Sequence, residues 1–398
     1  MNIQHTYKYT VTKLFPGGVR PKMHLWVVLI IALAVNSCIE PYFADIGDEP
    51  ELISIEGSII KGLSRQEIVI SRTTSLGNPV FEPVKGCLVS VMDELNNEFV
   101  FDETYNGIYT LEIDQSSLVE GRNYKMVVVT PGGAHYESEY EILESSVPVD
   151  SVYYDIEPSL DPVNGIEADG LQFYVDLLAP DTVSRYFRWK ITETYEYTSA
   201  GPIHYYYMDL SFEPVVPDDI WGLYRCWKTD ELEDIFLTST LNLATNEKKQ
   251  IPLNYVSTLN DRLKIRYSLL VHQYALDEEA YNYFMQNKIA TEGSGGLYTR
   301  QPQQPITNIY NVDDASERVL GYFWTSEMTS RRIFVSKLPE LDVKDYFYPL
   351  EIFNMEDHGA GPFPMAIMEE DGVRITGSPI CFDCTRRGGT TERPDFWE

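Results

Sequence analysis

The feature that most constrains this fold is a succession of short alternating runs between residues 51 and 147. Ile53, Ile55 and Gly57 alternate with polar neighbours, and Ile68 and Ile70 do the same before Ser71-Arg72-Thr73. Cys87, Val89 and Val91 share one face of a third run, and Asn96-Asn97 turns the chain into Phe99-Val100-Phe101. Tyr109, Leu111 and Ile113, then Tyr124, Met126 and Val128, repeat the pattern before Pro131-Gly132-Gly133. A period of two places successive side chains on opposite faces of a strand, whereas a helix needs 3.6. About seven strands at roughly ten-residue spacing predict a β-sandwich of immunoglobulin-like or transthyretin-like type.

Pro148, in the polar stretch from Ser145 to Asp150, marks a boundary. Residues 51–147 are then the sandwich, and 148–398 a larger β-rich domain. That domain opens with a loop-like segment from Pro158 to Gly170. A long strand follows from Tyr186 to Tyr197, with Phe187, Trp189, Ile191, Tyr195 and Tyr197 on one face. Glu193 falls on that face too. A carboxylate among aromatics needs a partner or a water-lined pocket, so Glu193 is either an Arg-paired structural residue or a ligand contact. Leu263 to Gln273 reads as another strand.

One helix is expected near 277–292. Asp277 caps it, Glu278 and Glu279 suit its positive end, and Tyr281, Phe284, Met285 and Ile289 form its apolar stripe, with Gly293 as the stop. Gly293 to Gly296 and Gln301 to Pro305 then form a flexible connection. Val319–Trp324 and Arg332–Val335 return to strand, and the tail beyond Pro349 reads as loop-rich. The class is mainly all-β with one packed helix.

The N-terminus differs in character. Residues 1–37 carry Lys8, Lys13, Arg20 and Lys22 but no acid, and the uncharged run Leu25 to Val35 follows. An apolar run of about ten residues with basic flanks suits a secretory signal and falls short of a membrane span. Ser37 directly before Cys38, with Val35 at the hydrophobic position, is similar to a bacterial lipobox. Cys38 is therefore the expected lipidation site, with 1–37 removed and 38–50 an acidic tether. Ile39, rather than Asp, follows Cys38 and favours the outer membrane. The chain has 31 basic and 61 acidic residues, and removing the leader leaves 27 against 61, a net charge of −34. Such a balance argues against nucleic acid and against electrostatic docking on anionic lipid.

Catalytic motifs are missing from the sequence. It contains no Gly-x-Ser-x-Gly, no phosphate-cradling Gly-x-x-x-x-Gly-Lys and no His-Glu-x-x-His. His135, His204, His272 and His358 form no metal-spaced pair, and the Asp161–Asp169 and Asp313-Asp314 loops lack EF-hand spacing. No enzyme activity, cofactor or metal is expected. Cys381 and Cys384 form a Cys-x-x-Cys without the βαβ context of a redox site or a second ligand pair for zinc. A structural disulfide from Cys381 or Cys384, with Cys226 as a candidate partner, is the expected use, while Cys87 reads as a small buried side chain. Tyr205-Tyr206-Tyr207 and Trp221 supply stacking surface for a ligand or partner, or they simply reflect the preference of strands for aromatics.

Several ordered pieces carry a family resemblance. They begin with Cys38-Ile39-Glu40-Pro41-Tyr42, Ile55-Glu56-Gly57 and Ile70-Ser71-Arg72-Thr73. Tyr186-Phe187-Arg188-Trp189, Glu193-Thr194-Tyr195, Arg266 to Tyr274, Gln301-Pro302 and Leu320-Gly321-Tyr322-Phe323 follow. Cys381-Phe382-Asp383-Cys384, Gly388-Gly389 and Pro394-Asp395-Phe396-Trp397 complete the set. In this order they resemble the Bacteroidota outer-membrane lipoproteins catalogued as domain of unknown function 4249. Cys87, where a small residue such as Ala is usual, and Thr307 before Asn308, where Gly is usual, depart from the pattern. The resemblance implies a surface- or periplasm-facing lipoprotein often paired with a TonB-dependent outer-membrane receptor, and it supplies no ligand and no catalytic residue. The expected function is that of a non-enzymatic accessory protein in nutrient capture or uptake. A surface adhesin or envelope-structural lipoprotein is the alternative.

Overall fold

A computed structural model of the chain describes residues 51–74, 80–160, 165–292, 306–354 and 365–397. The expected leader, Cys38, the acidic tether, the Gly293 stop and Gln301 to Pro305 lie outside the described residues. No helix among the described residues is long and apolar enough to cross a membrane.

The alternating N-terminal runs form β1 (Ile53–Lys61), β2 (Arg65–Arg72), β3 (Glu82–Pro83), β4 (Leu88–Asp93), β5 (Glu98–Tyr105), β6 (Ile108–Glu112), β7 (Asn123–Val129), β8 (His135–Ser138) and β9 (Glu141–Ile142). β5 passes between two layers. Its first half pairs with β4 (Val89 opposite Phe101) and its second half with β6 (Asp102 opposite Thr110). Ile55, Ile68, Ile70 and Tyr109 from one layer meet Val89, Val91, Tyr124, Met126 and Val128 from the other in a single buried cluster. The result is the sandwich that the period of two demands.

The following stretch holds β10 (Ser151–Leu160), β11 (Glu167–Leu178), β12 (Tyr186–Thr198), β13 (Tyr205–Met208), β14 (Ser211–Pro214), β15 (Arg225–Glu231), β16 (Phe236–Ser239), β17 (Glu247–Ser257) and β18 (Arg266–Leu276). Of the loop expected from Pro158 to Gly170, residues 161–164 lie outside the described residues, and the rest belongs largely to an antiparallel ladder of β10 and β11 reaching Leu160 opposite Glu167. Backbone pairing overrides the acidic, Pro-containing composition there. β10, β11 and β17 make a three-stranded sheet whose Leu171, Phe173 and Val175 cover the inner face of β12 and β18. Phe173 stacks on Tyr267 with ring centres 5.5 Å apart. β18 starts three residues later than expected. Asn260 caps a 3-10 turn at Asp261–Leu263, its side chain accepting from the Arg262 N–H at 3.2 Å, and that local bond competes with strand extension.

Helix α1 spans Glu278–Glu292, and the Asp277 carboxylate accepts from the Ala280 N–H at 2.7 Å. Its buried stripe is rotated from the expected one. Tyr283 stacks on Tyr322 (4.7 Å) and Phe284 meets Trp324 edge-on (5.3 Å), with Ala280 beside them, whereas Ile289 is exposed. β19 (Ile309–Asn311), β20 (Val319–Leu320) and β21 (Phe323–Ser336) come next. β19 and β20 join the N-terminal sheets through β8 and β1. β21 pairs antiparallel with β18 and, over its first five residues, parallel with β1. The change of layer near Pro148 is therefore not a break in hydrogen bonding, and 51–398 clusters as one compact unit.

Gly321 makes this junction possible. Its φ is +95°, and a Cβ there would sit 1.9 Å from the Ile55 carbonyl oxygen, so only glycine fits. The tail is not loop-rich throughout: β22 (Leu350–Ile352), β23 (Met365–Glu370) and β24 (Val373–Gly377) combine with β13 and β14 in a five-stranded sheet.

Candidate functional site

The C-terminal end of β12 and the turns around it form a cleft of about 380 Å³. Four tyrosines, Tyr197, Tyr224, Tyr346 and Tyr348, line it together with Asp261 and Lys264. β12 delivers Tyr197 by its alternation, and the 3-10 turn that delays β18 delivers Asp261 and Lys264.

The walls are fixed from behind. Arg387 forks onto Asp261 with N–O distances of 2.8 and 2.7 Å, and the same guanidinium donates to the Tyr348 hydroxyl at 2.9 Å. Tyr348 in turn donates to the Thr198 carbonyl at 2.6 Å. The Arg387 guanidinium also lies between the rings of Tyr197 and Tyr346, at 4.3 and 4.0 Å from their centres. Burial works against its charge, but the hydrogen bond and charge of Asp261 outweigh that and raise its pKa above the usual arginine value. Burial pushes the Tyr197 hydroxyl up to about 12, with Arg387 opposing. That hydroxyl donates to the Cys384 carbonyl at 2.7 Å and accepts from the Gly389 N–H at 3.0 Å.

The expected candidates fall into separate groups. Glu193 is buried but paired: Arg262 donates to both of its oxygens at 3.0 Å and Tyr267 to one at 2.7 Å. Burial first, and Glu193 second, hold the Tyr267 hydroxyl well above its ordinary pKa. Arg262 follows Asp261 in the same turn, so Glu193 braces the cleft from beneath and does not enter it. Trp221, 57% exposed, stands edge-on to Tyr224 at 4.7 Å and extends the aromatic wall outward. The Tyr205-Tyr206-Tyr207 row lies elsewhere, on β13 in the five-stranded sheet. There Tyr207 is core, packed between Phe212 and Phe353. Cys226 pairs with Cys384 in a disulfide, while Cys381 and Cys87 are buried free thiols. Cys38 lies outside the described residues. Sequence reasoning missed Asp261, Tyr346, Tyr348 and Arg387, although the Tyr346-Phe347-Tyr348 run was a visible aromatic signal.

Comparison with family models finds a match to the one described as Domain of unknown function (DUF4249), over residues 39–332. The chain belongs to the DUF4249 family. The DUF4249 match covers the sandwich, β10 to β18 and most of β21, and ends before Tyr346, Tyr348 and Arg387. Among curated proteins none matches this DUF4249 chain. Among solved structures, a trypsin-activated alpha-2-macroglobulin from Escherichia coli aligns at 9% identity with a TM-score of 0.18. The alignment covers 57% of this chain and spans 15% of that protein's length, and it carries no argument about fold or function.

Proposed function

We propose that this DUF4249 chain is a lipid-anchored outer-membrane binding protein that acts as a non-enzymatic accessory to a TonB-dependent receptor in nutrient capture or uptake. The observation that carries the reading is at the N-terminus. The family match begins at residue 39, directly after Cys38, where a basic and apolar leader ends in a lipobox-like sequence. An acyl-modified Cys38 would tether a body whose net charge of −34 keeps it off an anionic bilayer. The tyrosine-lined cleft supports the binding half of the reading. Aromatic walls with a few fixed polar groups are the usual composition of a ligand pocket. Of the carboxylates lining it, Asp261 is held by Arg387 and Asp345 is paired with Lys264, an arrangement suited to fixing walls and not to moving protons. The receptor as partner rests on the family resemblance.

Co-purification tests the proposal. The lipoprotein, extracted from outer membranes under mild conditions, should carry a TonB-dependent β-barrel with it, and substitution of Cys38 by Ser should release it from the membrane fraction. A correctly localised lipoprotein that brings no receptor with it overturns the partner assignment.

A further inference from the structure

Alternate residues of β12, β18 and β21 turn away from the core formed with the three-stranded sheet. The register sets three adjoining rows on this outer face. Arg188 lies beside Tyr274 and Met328, Lys190 beside His272 and Ser330, and Thr192 beside Leu270 and Arg332. Neighbouring strands stand about 4.8 Å apart and alternate residues about 7 Å apart along a strand. Arg188, Lys190, His272 and Arg332 therefore share one continuous patch, in a chain where acids outnumber bases 61 to 31.

The two arginines are held in an unusual way. The Arg188 guanidinium sits 3.8 Å from the ring centre of Phe284 and 5.3 Å from that of Trp324. Its buried Nε has no hydrogen-bond partner among the described residues. Arg332 lies 3.6 Å over Phe396 and donates to Ser268 Oγ at 2.9 Å. Neither pairs with a carboxylate among the described residues. Glu231, the acid beside the patch, is paired with Lys190 at 2.8 Å, and both side chains are substantially exposed, so that pair is weak and easily exchanged. Burial chiefly lowers the His272 pKa, against Glu231 and with smaller help from Arg332 and Lys190.

A guanidinium stacked by its face on an aromatic ring keeps its in-plane N–H edge for an acceptor. Aromatic stacking thus orients Arg188 and Arg332 while leaving donors unspent, with Lys190 between their rows. We infer that this outer sheet face, between helix α1 and Phe396, is a binding site for a ligand carrying two or more carboxylate, phosphate or sulfate groups. The long-range field of the acidic body opposes anions, so the site depends on several donors acting together and suits a polyanion better than a single-charged ion. The chemistry is shared by a soluble polyanion and by an anionic lipid headgroup.

Titration calorimetry on the full chain in non-ionic detergent tests this with two probes, inorganic tripolyphosphate and the short-chain lipid dihexanoyl phosphatidylinositol 4-phosphate, whose headgroup carries two phosphates. At least one should bind, more weakly at high salt. Tripolyphosphate binding identifies a soluble source and lipid binding a headgroup. Lys190→Gln and Arg332→Gln should each weaken binding by roughly tenfold, while Lys249→Gln, on β17, leaves it unchanged. Arg188→Lys keeps the charge but removes the planar donor edge. It should weaken binding by a similar factor and also lower the melting temperature, because the stacking on Phe284 and Trp324 is lost. Binding of neither probe, or equal affinities in Lys190→Gln, Arg332→Gln and Lys249→Gln, overturns the assignment.

Discussion

Glu141 offers the sharpest quantitative test of the fold. Its side chain, 5% exposed, accepts from Asn308 Nδ2 at 2.6 Å and from the Tyr322 hydroxyl at 3.1 Å. It also shares a hydrogen bond with the Asp277 carboxyl. Burial first, then Asp277, push its pKa from 4.5 up to about 9. At neutral pH it is therefore protonated in the folded state and ionised in the unfolded one. The folded pKa is raised, so stability is full below pH 4.5 and falls as pH rises towards 9. The slope is about 1.4 kcal/mol per pH unit for one proton, and at pH 7 the accumulated loss is on the order of 3 kcal/mol. Glu141→Gln is nearly isosteric with the protonated acid. Its amide oxygen can accept from Asn308 and Tyr322, and its NH2 can donate to Asp277. The variant should match the wild type near pH 5 and exceed it progressively up to pH 8. Urea unfolding of both proteins at successive pH values measures the difference, and Glu144, whose pKa burial also raises, remains in both. Parallel stability curves across this range, or a Gln variant less stable at pH 8, would refute the shared-proton argument.

Four further outcomes follow from particular contacts. Reducing the Cys226–Cys384 disulfide, which spans 158 residues, should destabilise the chain by up to about 5 kcal/mol on loop-entropy grounds, read as a drop in melting temperature that Cys381→Ser does not reproduce. Asp261→Asn leaves the mostly buried Arg387 without its carboxylate and should cost about 3–5 kcal/mol, measurable by denaturant melts. Gly321→Ala forces a Cβ into the Ile55 carbonyl and should yield little folded protein, seen as loss of soluble, protease-resistant material. Trp221→Ala, at an exposed position, should change stability by no more than about 0.5 kcal/mol while weakening whatever ligand the cleft holds.

The strands were most legible where alternation is undiluted. The expected strand from Tyr186 to Tyr197 and the observed Tyr186–Thr198 differ by one residue, because five large apolar side chains mark a single face. The β23–β24 hairpin was equally written in the chain: Asp371 and Gly372 both take positive φ, 52° and 78°, as an Asp-Gly two-residue turn requires. Its flanking runs, short and partly acidic, hid the signal. The β10–β11 ladder was missed for a different reason. Its exposed outer residues make the tip read as loop, and only pairing with β17 on the other side reveals the sheet. The cleft was the least legible part. Arg387 reaches Asp261 across 126 residues, and no local pattern encodes that meeting. Of the Cys-x-x-Cys pair, spacing alone had no means of choosing which sulfur meets Cys226. The choice falls to Cys384 because the backbone of a 3-10 turn at Cys384–Arg387 is drawn to the end of β12, where Tyr197 holds the Cys384 carbonyl.

The parallel pairing of β1 with β21 has a mechanical consequence. The described chain enters β1 at Ile53, and β1 is bonded to β2 on one side and to β20 and β21 on the other. Tension applied from the N-terminal side pulls β1 along its own axis. The bonds on both flanks must then shear together and cannot open one at a time like a zipper. The load passes through β21 into β18, so the force is shared by the central sheet that braces the tyrosine cleft. A body held by its first described strand in this way resists being drawn out from its N-terminal side far better than one held by an edge.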